Sequence, residues 1–418
     1  MIFRTLFSVL ATATLATFSV VPVAHATWTA DAERCASGGT DKNIIIDACT
    51  QALKSGSLDK NEQARIYHSR GFVRAVNGDA ANAVLDLTEA MKLEPNNPDH
   101  YSTRGEISMT RKQYPQAIAD FGNALRLEGP SVRGYYLLGT AHLNNGDRDM
   151  AIDDFSAALK FDPREVEVLN NRAFAYFAKR EWDRALADYT AAISVDPKNA
   201  LFYYNRGEVW RLTNDLQRAG NDFDTAIRLK PDYDDAYIRR GFVRVAQHDF
   251  QKALADFDKA VQINPNSPVP LSQRGIARFY TGRYREAEND LVISLAGAPQ
   301  NAYSVLWLYL ARLHQGKDDI KGLRDQSRSF NPAVFPGPVI RFYLGEIAAN
   351  DVMAAVQKGT PQQQREQLCE ASFYLGEEAL MRGNRDEAIR LFRQAVSTNL
   401  TYFYEYQGAA VELQHLGL

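Results

Sequence analysis

The chain has 418 residues, and its 48 Lys and Arg are nearly balanced by 51 Asp and Glu. It therefore has no charge excess that would indicate binding to nucleic acid or to an acidic membrane surface. The kind of partner has to be inferred from motifs instead.

Residues 1–26 have the pattern of a secretory signal peptide: a short basic start, an apolar run, and a small-x-small cleavage site formed by Ala24 and Ala26. We expect cleavage and a soluble mature chain in the periplasm. The alternative is a retained N-terminal membrane anchor, which Pro22 and the small residues disfavour. The first cysteine, Cys35, does not follow a lipobox, so the sequence does not predict a lipoprotein.

Residues 27–63 are predicted to form a helical N-terminal cap that contains two of the three cysteines. Cys35 and Cys49 are 14 positions apart, and in an oxidising compartment we expect them to form a disulfide. Two free thiols are the alternative. Cys369 lies in an apolar helical pattern, which is typical of a buried small hydrophobic residue rather than a nucleophile.

Residues 64–301 contain seven copies of one repeat. A small residue recurs every 34 positions, followed after 12 positions by Ala, after four more by a large apolar residue, and after three more by another small residue. The first small residues are Gly71, Gly105, Gly139, Ala173, Gly207, Gly241 and Gly275. These spacings are typical of one helix face, and a Pro usually follows the second helix, so each copy is predicted to be an antiparallel helix pair.

This pattern of spacings, which we call the repeat frame, resembles the tetratricopeptide repeat. The resemblance implies an all-α, right-handed superhelix in which close backbone approach requires the small residues. The frame also carries an Arg before the first small residue in six copies, with Leu138 in the third, and an Asp before the large apolar residue in all seven. We expect these Arg and Asp side chains to pair between stacked helices and to fix the register of the repeats. A charged ladder that binds a ligand is the less favoured alternative.

In tetratricopeptide proteins, positions 2, 5, 9, 12 and 13 of each copy point into the inner groove. Here they give an aromatic and aliphatic stripe with few charges, which favours an extended or helical peptide over a sugar phosphate. The alternative is that these side chains pack against neighbouring repeats. The predicted binding residues are Tyr136, Leu143, Phe174, Phe177, Tyr204, Arg211, Ile238, Phe242, Val245, Ile276, Phe279 and Tyr280.

We find no sequence motif for catalysis. No HExxH, GxSxG, P-loop or dinucleotide pattern occurs, and no His has a Cys partner at metal-ligand spacing. The sequence therefore predicts a protein that is not an enzyme and that needs no metal or cofactor.

Residues 302–360 are predicted to be a degenerate helical insert, and residues 361–418 a final repeat with a closing helix. The repeat frame returns at Gly376, 101 residues after Gly275, so this last copy is out of phase. In the insert, Tyr309 stands where the frame requires a small residue. We expect Tyr309 and Trp307 to be buried against residues 339–347.

The ordered blocks LWLYLA, VIRFYLGEI and the C-terminal ASFYLGEEALMRG resemble the C-terminal half of the NlpI family of bacterial envelope tetratricopeptide lipoproteins. The resemblance implies a dimeric envelope adaptor that holds a tail-specific protease and presents peptidoglycan hydrolases to it. This chain lacks the lipidated Cys, has more repeats and adds the segment containing Cys35 and Cys49. We therefore expect a periplasmic, non-catalytic protein-binding adaptor. The alternative is a structural scaffold of an envelope or secretion complex without a protease.

Overall fold

The protein is represented by a computed structural model that describes residues 29–401 and 403–418, and within these residues it is entirely helical. The predicted signal peptide lies outside the described residues. The all-α prediction is confirmed: the described residues form 23 helices, and the chain divides into two compact units, Met1–Pro197 and Lys198–Leu418. Each unit is described by itself.

Unit 1 contains the N-terminal cap and the first four copies of the repeat. Its helices are α1 (Ala30–Ser37), α2 (Lys42–Lys54), α3 (Lys60–Val76), α4 (Ala80–Leu93), α5 (Pro98–Thr110), α6 (Tyr114–Glu128), α7 (Val132–Asn145), α8 (Arg148–Phe161), α9 (Val166–Ala178) and α10 (Trp182–Val195). The predicted disulfide is confirmed, since Cys35 in α1 is bonded to Cys49 in α2.

Unit 2 contains copies five to seven and the whole C-terminal segment. Its helices are α11 (Ala200–Leu212), α12 (Leu216–Leu229), α13 (Asp234–Ala246), α14 (Phe250–Ile263), α15 (Pro268–Tyr280), α16 (Tyr284–Gly297), α17 (Ala302–Leu313), α18 (Ile320–Ser327), α19 (Gly337–Tyr343), α20 (Ala349–Val356), α21 (Pro361–Met381), α22 (Arg385–Ser397) and α23 (Tyr404–His415). The pairs α11/α12, α13/α14 and α15/α16 are the three copies.

The small residue of each first helix is needed for close approach of its partner helix. A Cβ built on Gly241 would lie 2.5 Å from the Phe257 ring, and one on Gly376 would lie 2.6 Å from the Phe392 ring. Real Cβ atoms do not come this close to a packed ring. The same geometry occurs at Gly376, between α21 and α22, which the sequence predicts to be the out-of-phase repeat.

The predicted Arg and Asp pairs are present. In six copies the guanidinium in the first helix donates to the carboxylate 16 residues later in the second helix, at 2.5–3.2 Å. Arg240 also reaches Asp224 of the preceding copy at 2.6 Å, so it ties consecutive copies together. In the third copy, where Leu138 replaces Arg, His142 lies 2.7 Å from Asp154.

Replacing Asp256 by Ala is expected to lower the free energy of unfolding of unit 2 by about 2–3 kcal/mol. Its side chain is almost fully buried and accepts from both Arg240 and Arg244, so the substitution would remove a carboxylate that two guanidinium groups share. The matched control is Asp258→Ala, because that carboxylate is half exposed and pairs with Arg274 at the surface. Urea unfolding of both variants tests this, and equal losses would contradict a structural role for the buried pair.

Trp307 is buried, as predicted, but its ring contacts differ from those of Tyr309. Tyr309 does pack on the predicted segment, with its ring 5.1 Å from that of Tyr343. Trp307 packs instead on Phe279 and Phe373, at ring distances of 5.2 and 5.4 Å. The reason is helix geometry: residues two positions apart point to nearly opposite sides of an α-helix, so they cannot share one neighbour.

Candidate functional site

The predicted binding residues of unit 1 lie on the neighbouring first helices α7 and α9, and all are partly exposed. Tyr136 and Leu143 on α7 and Phe174 and Phe177 on α9 are all half-buried. The rings of Phe174 and Phe177 are stacked with centroids 6.3 Å apart, and Trp182 meets Phe177 edge-on at 5.6 Å. We call these five residues the unit 1 aromatic face.

Sequence reasoning missed Trp182. It opens the second helix of copy four, whereas the groove positions of the repeat all lie on first helices. The available signal was an aromatic residue only five positions after Phe177, directly across the turn that joins α9 to α10.

Charged groups border the unit 1 aromatic face. Arg133 lies 3.3 Å from Glu106, whose pKa is raised by burial. The pKa of Tyr136 is raised by burial and then by the charge of Glu167. A hydrogen bond with Glu167, and then burial, raise the pKa of Glu165. The face therefore combines apolar ring surface with hydrogen-bonding groups of both signs at its edge.

The predicted binding residues of unit 2 are placed differently. Most of them are buried within the unit itself: Tyr204, Ile238, Val245, Ile276, Phe279 and Tyr280. Arg211 and Phe242 are half-buried. These buried side chains therefore pack between helices, which is the alternative that the sequence left open. That they bind a partner stays a prediction, and a partner could reach them only if the covering helices moved.

A buried ionic network lies on the first helices of copies five and six. Glu208 accepts from Arg211 at 2.9 Å and lies 3.5 Å from Arg239, which also donates to Tyr204 at 3.3 Å. Burial alone would raise the pKa of Glu208, but the charges of Arg239 and Arg211 lower it below its ordinary value. Burial and the charge of Asp234 raise the pKa of the neighbouring Asp235 to about 6.

The first helices of the three copies in unit 2 are α11, α13 and α15, and we call their shared side the first-helix surface. Helix α23 covers part of it. The Tyr404 ring lies 6.0 Å from Phe242 and 6.4 Å from Tyr280, and the Tyr280 hydroxyl donates to the Tyr404 carbonyl at 2.5 Å. The sequence predicted a closing helix here but not which surface it would meet. Helix α17 covers a further part, since Trp307 contacts both Phe279 and Tyr280.

Within the described residues, no group of His, Cys, Asp or Glu side chains is arranged to hold a metal ion. Cys369 is buried, as expected, and burial raises the pKa of its thiol to about 12. A thiol with that pKa is poorly suited to act as a nucleophile. None of the helices from residue 29 onward combines the length and apolar character needed to cross a membrane.

Comparison with known proteins agrees with the repeat geometry. Family models described as tetratricopeptide repeat match residues 132–165, 170–234 and 234–267. One similar solved structure is YrrB, described as a tetratricopeptide protein with an unusual peptide-binding site. It is 21% identical over 46% of this chain and 96% of its own, with a TM-score of 0.39.

Two further solved structures are also similar. A tetratricopeptide repeat protein from Parabacteroides merdae is 17% identical over 60% of this chain and 99% of its own, with a TM-score of 0.49. PilF from Pseudomonas aeruginosa is 20% identical over 50% of this chain and 96% of its own, with a TM-score of 0.44. Residues 132–165 and 170–267 thus match tetratricopeptide repeats, and the described part of the chain has an all-helical, solenoid-like fold.

Proposed function

We propose that this protein is a non-catalytic adaptor of the bacterial periplasm that binds client proteins through the unit 1 aromatic face. Tetratricopeptide proteins act as protein-binding scaffolds. The observation that carries the proposal is that Tyr136, Leu143, Phe174, Phe177 and Trp182 keep exposed ring or aliphatic surface, whereas most predicted groove residues of unit 2 are buried.

The chemistry of this face suits a peptide segment of a folded client. Large rigid rings give binding energy at low entropic cost, and partly exposed aromatic side chains are common binding anchors. The carboxylates of Glu106 and Glu167 and the guanidinium of Arg133 can pair with main-chain or side-chain groups at the edge. A sugar phosphate would require a larger excess of cations than this face provides.

In its specific form, the proposal is that the adaptor presents clients such as cell-wall hydrolases to a tail-specific protease, as a homodimer. This part rests on the resemblance of residues 302–418 to the NlpI family. Affinity capture from an envelope extract tests it. Recovery of a protease or a cell-wall hydrolase would support the specific form, and recovery of neither would contradict it.

A second candidate is a structural scaffold of an envelope complex without a protease. It is favoured by a separate set of exposed apolar side chains on the second helices of unit 1: Leu85, Met150 and Phe161 are 63, 52 and 56% exposed. A scaffold contacted on two sides would use these residues as well as the aromatic face. Capture of envelope structural proteins whose binding is lost on replacement of Phe161 would favour this candidate.

Replacing Phe174 and Phe177 together by Ser is expected to weaken client binding at least tenfold, because both ring anchors are lost. Phe161→Ser is the matched control, since it removes the same ring from an exposed position outside the face. Binding of captured clients to each purified variant is measured by biolayer interferometry, with circular dichroism to check helicity. Unchanged binding by the folded double variant would place the site elsewhere.

A further inference from the structure

Helix α23 packs on the first-helix surface of unit 2, in the place where a bound helix could lie. Tyr404 contributes its ring to Phe242 and Tyr280 and its carbonyl to the Tyr280 hydroxyl. At its N-terminal side, the Thr401 hydroxyl contacts Asn214 at 3.4 Å. At the other end, Arg385 of α22 donates to the Leu416 carbonyl at 2.7 Å. Hydrogen bonds thus flank both ends of α23.

Gly408 sets how closely α23 approaches this surface. A Cβ at this position would lie 2.6 Å from the Phe373 ring and 2.8 Å from Tyr280. It comes one helical turn after Tyr404, so the ring and the glycine face the same side. The surface therefore fits a helix that carries an aromatic residue and, four positions later, a residue without a side chain.

Helix α23 is an imperfect occupant of the surface. The Tyr404 hydroxyl and the Gln407 side-chain oxygen are buried without a hydrogen-bond partner. The carboxyl of Glu405 is buried and accepts a hydrogen bond from the Tyr374 hydroxyl at 3.0 Å. Buried polar atoms without partners, and buried carboxyls without a cation, each weaken docking. The helix is consequently held less firmly than an apolar helix of the same size.

We propose that α23 is a displaceable latch, and that the surface beneath it is a second docking site that accepts an amphipathic helix of a partner protein. The site is formed by Phe242, Tyr280 and Phe373. The partner helix presents an aromatic residue and a Gly four positions later on one face. Because α23 is tethered, it competes at high effective concentration, so the site is closed until a helix with better-satisfied polar groups displaces it. This site is separate from the unit 1 aromatic face.

The test uses the full chain and a synthetic peptide of residues 403–418 as the probe. Gly408→Leu is expected to undock α23, because the new side chain would overlap the Phe373 and Tyr280 rings. The matched control is Gln414→Leu, which adds the same side chain at an exposed position of α23. Hydrogen exchange should show that α23 loses protection only in Gly408→Leu, while α21 and α22 keep theirs. The labelled peptide should bind that variant at least tenfold more tightly than the unmodified chain.

Two results would overturn the proposal. In one, α23 stays protected in Gly408→Leu. In the other, the undocked variant binds the peptide no better than the unmodified chain. If Gly408→Leu unfolds unit 2, Tyr404→Ser carries the same test, since it removes the ring without introducing a clash. Adding Phe174→Ser and Phe177→Ser should leave peptide binding unchanged, so failure here is distinguishable from failure of the client-binding proposal.

Discussion

Replacing Trp307 by Ala should lower the free energy of unfolding of unit 2 by about 3–5 kcal/mol. The indole is 1% exposed and touches the rings of Phe279, Tyr280, Phe373 and Tyr374, so its removal leaves a large cavity between the repeats and the C-terminal helices. Guanidinium unfolding followed by circular dichroism measures the loss.

The control is Trp210→Ala in the same unit. Trp210 is half-buried and its ring lies 4.6 Å from the Arg218 guanidinium, so its loss should cost roughly 1 kcal/mol. If both substitutions cost the same, Trp307 is not the centre of the packing between α15, α17 and α21.

Raising the pH from 6.5 to 8.5 should destabilise the packing of α21 and α23. Glu370 and Glu405 are both buried, and within the described residues neither forms an ion pair. The groups that face them are the hydroxyls of Tyr303 and Tyr374, each 3.0 Å from a carboxyl oxygen, and the carboxylate of Glu366. Burial and the charge of Glu405 raise the pKa of Glu370 to about 9, and burial raises the pKa of Glu405.

The direction of this change in stability follows from proton binding. A carboxyl with a raised pKa in the folded state holds its proton more tightly when folded. The protonated carboxyl therefore stabilises the folded state fully at pH values below the ordinary pKa of a glutamate. This stabilisation is lost as the pH rises toward about 9, the raised pKa of Glu370. One such group changes stability by about 1.4 kcal/mol per pH unit. Protection factors of α21 and α23 should thus fall roughly 100-fold over these two pH units, after correction for intrinsic exchange rates.

His68 acts outside this pH window. Burial, with the charge of His100 as the next cause, lowers the pKa of His68 to about 4, so its effect lies at lower pH and in unit 1. Glu370→Gln is the control, because it keeps hydrogen-bonding capacity but cannot titrate. It should reduce the pH dependence to less than about tenfold, and an unchanged dependence would mean that Glu370 is not the responsible group.

Much of the fold could be predicted because the contacts within each repeat join residues that are close in sequence. Within a helix pair, contacts join residues about 16 positions apart, and spacing alone identifies them, as with Arg240 and Asp256. The disulfide between Cys35 and Cys49 is similarly local. Such regularities are visible in sequence because each copy repeats the same physical requirement.

The burial of the predicted groove residues in unit 2 could not be predicted in the same way. The hydrogen bond from Tyr280 to Tyr404 joins residues 124 positions apart, and the repeat frame carries no information about it. Residues 302–418 break the frame, so the neighbours of Phe279 and Tyr280 no longer follow from periodicity. Position in the repeat identified which side chains line the first helices, but not which of them the chain itself covers.

The central claim is that partner proteins bind at the unit 1 aromatic face, and photocrosslinking tests it most directly. Benzoylphenylalanine is placed at Phe177, within the face, or at Phe161, outside it, and each full-length protein is irradiated in an envelope extract. The account predicts protein crosslinks from position 177 and none from position 161. Crosslinks from position 161 alone would contradict it.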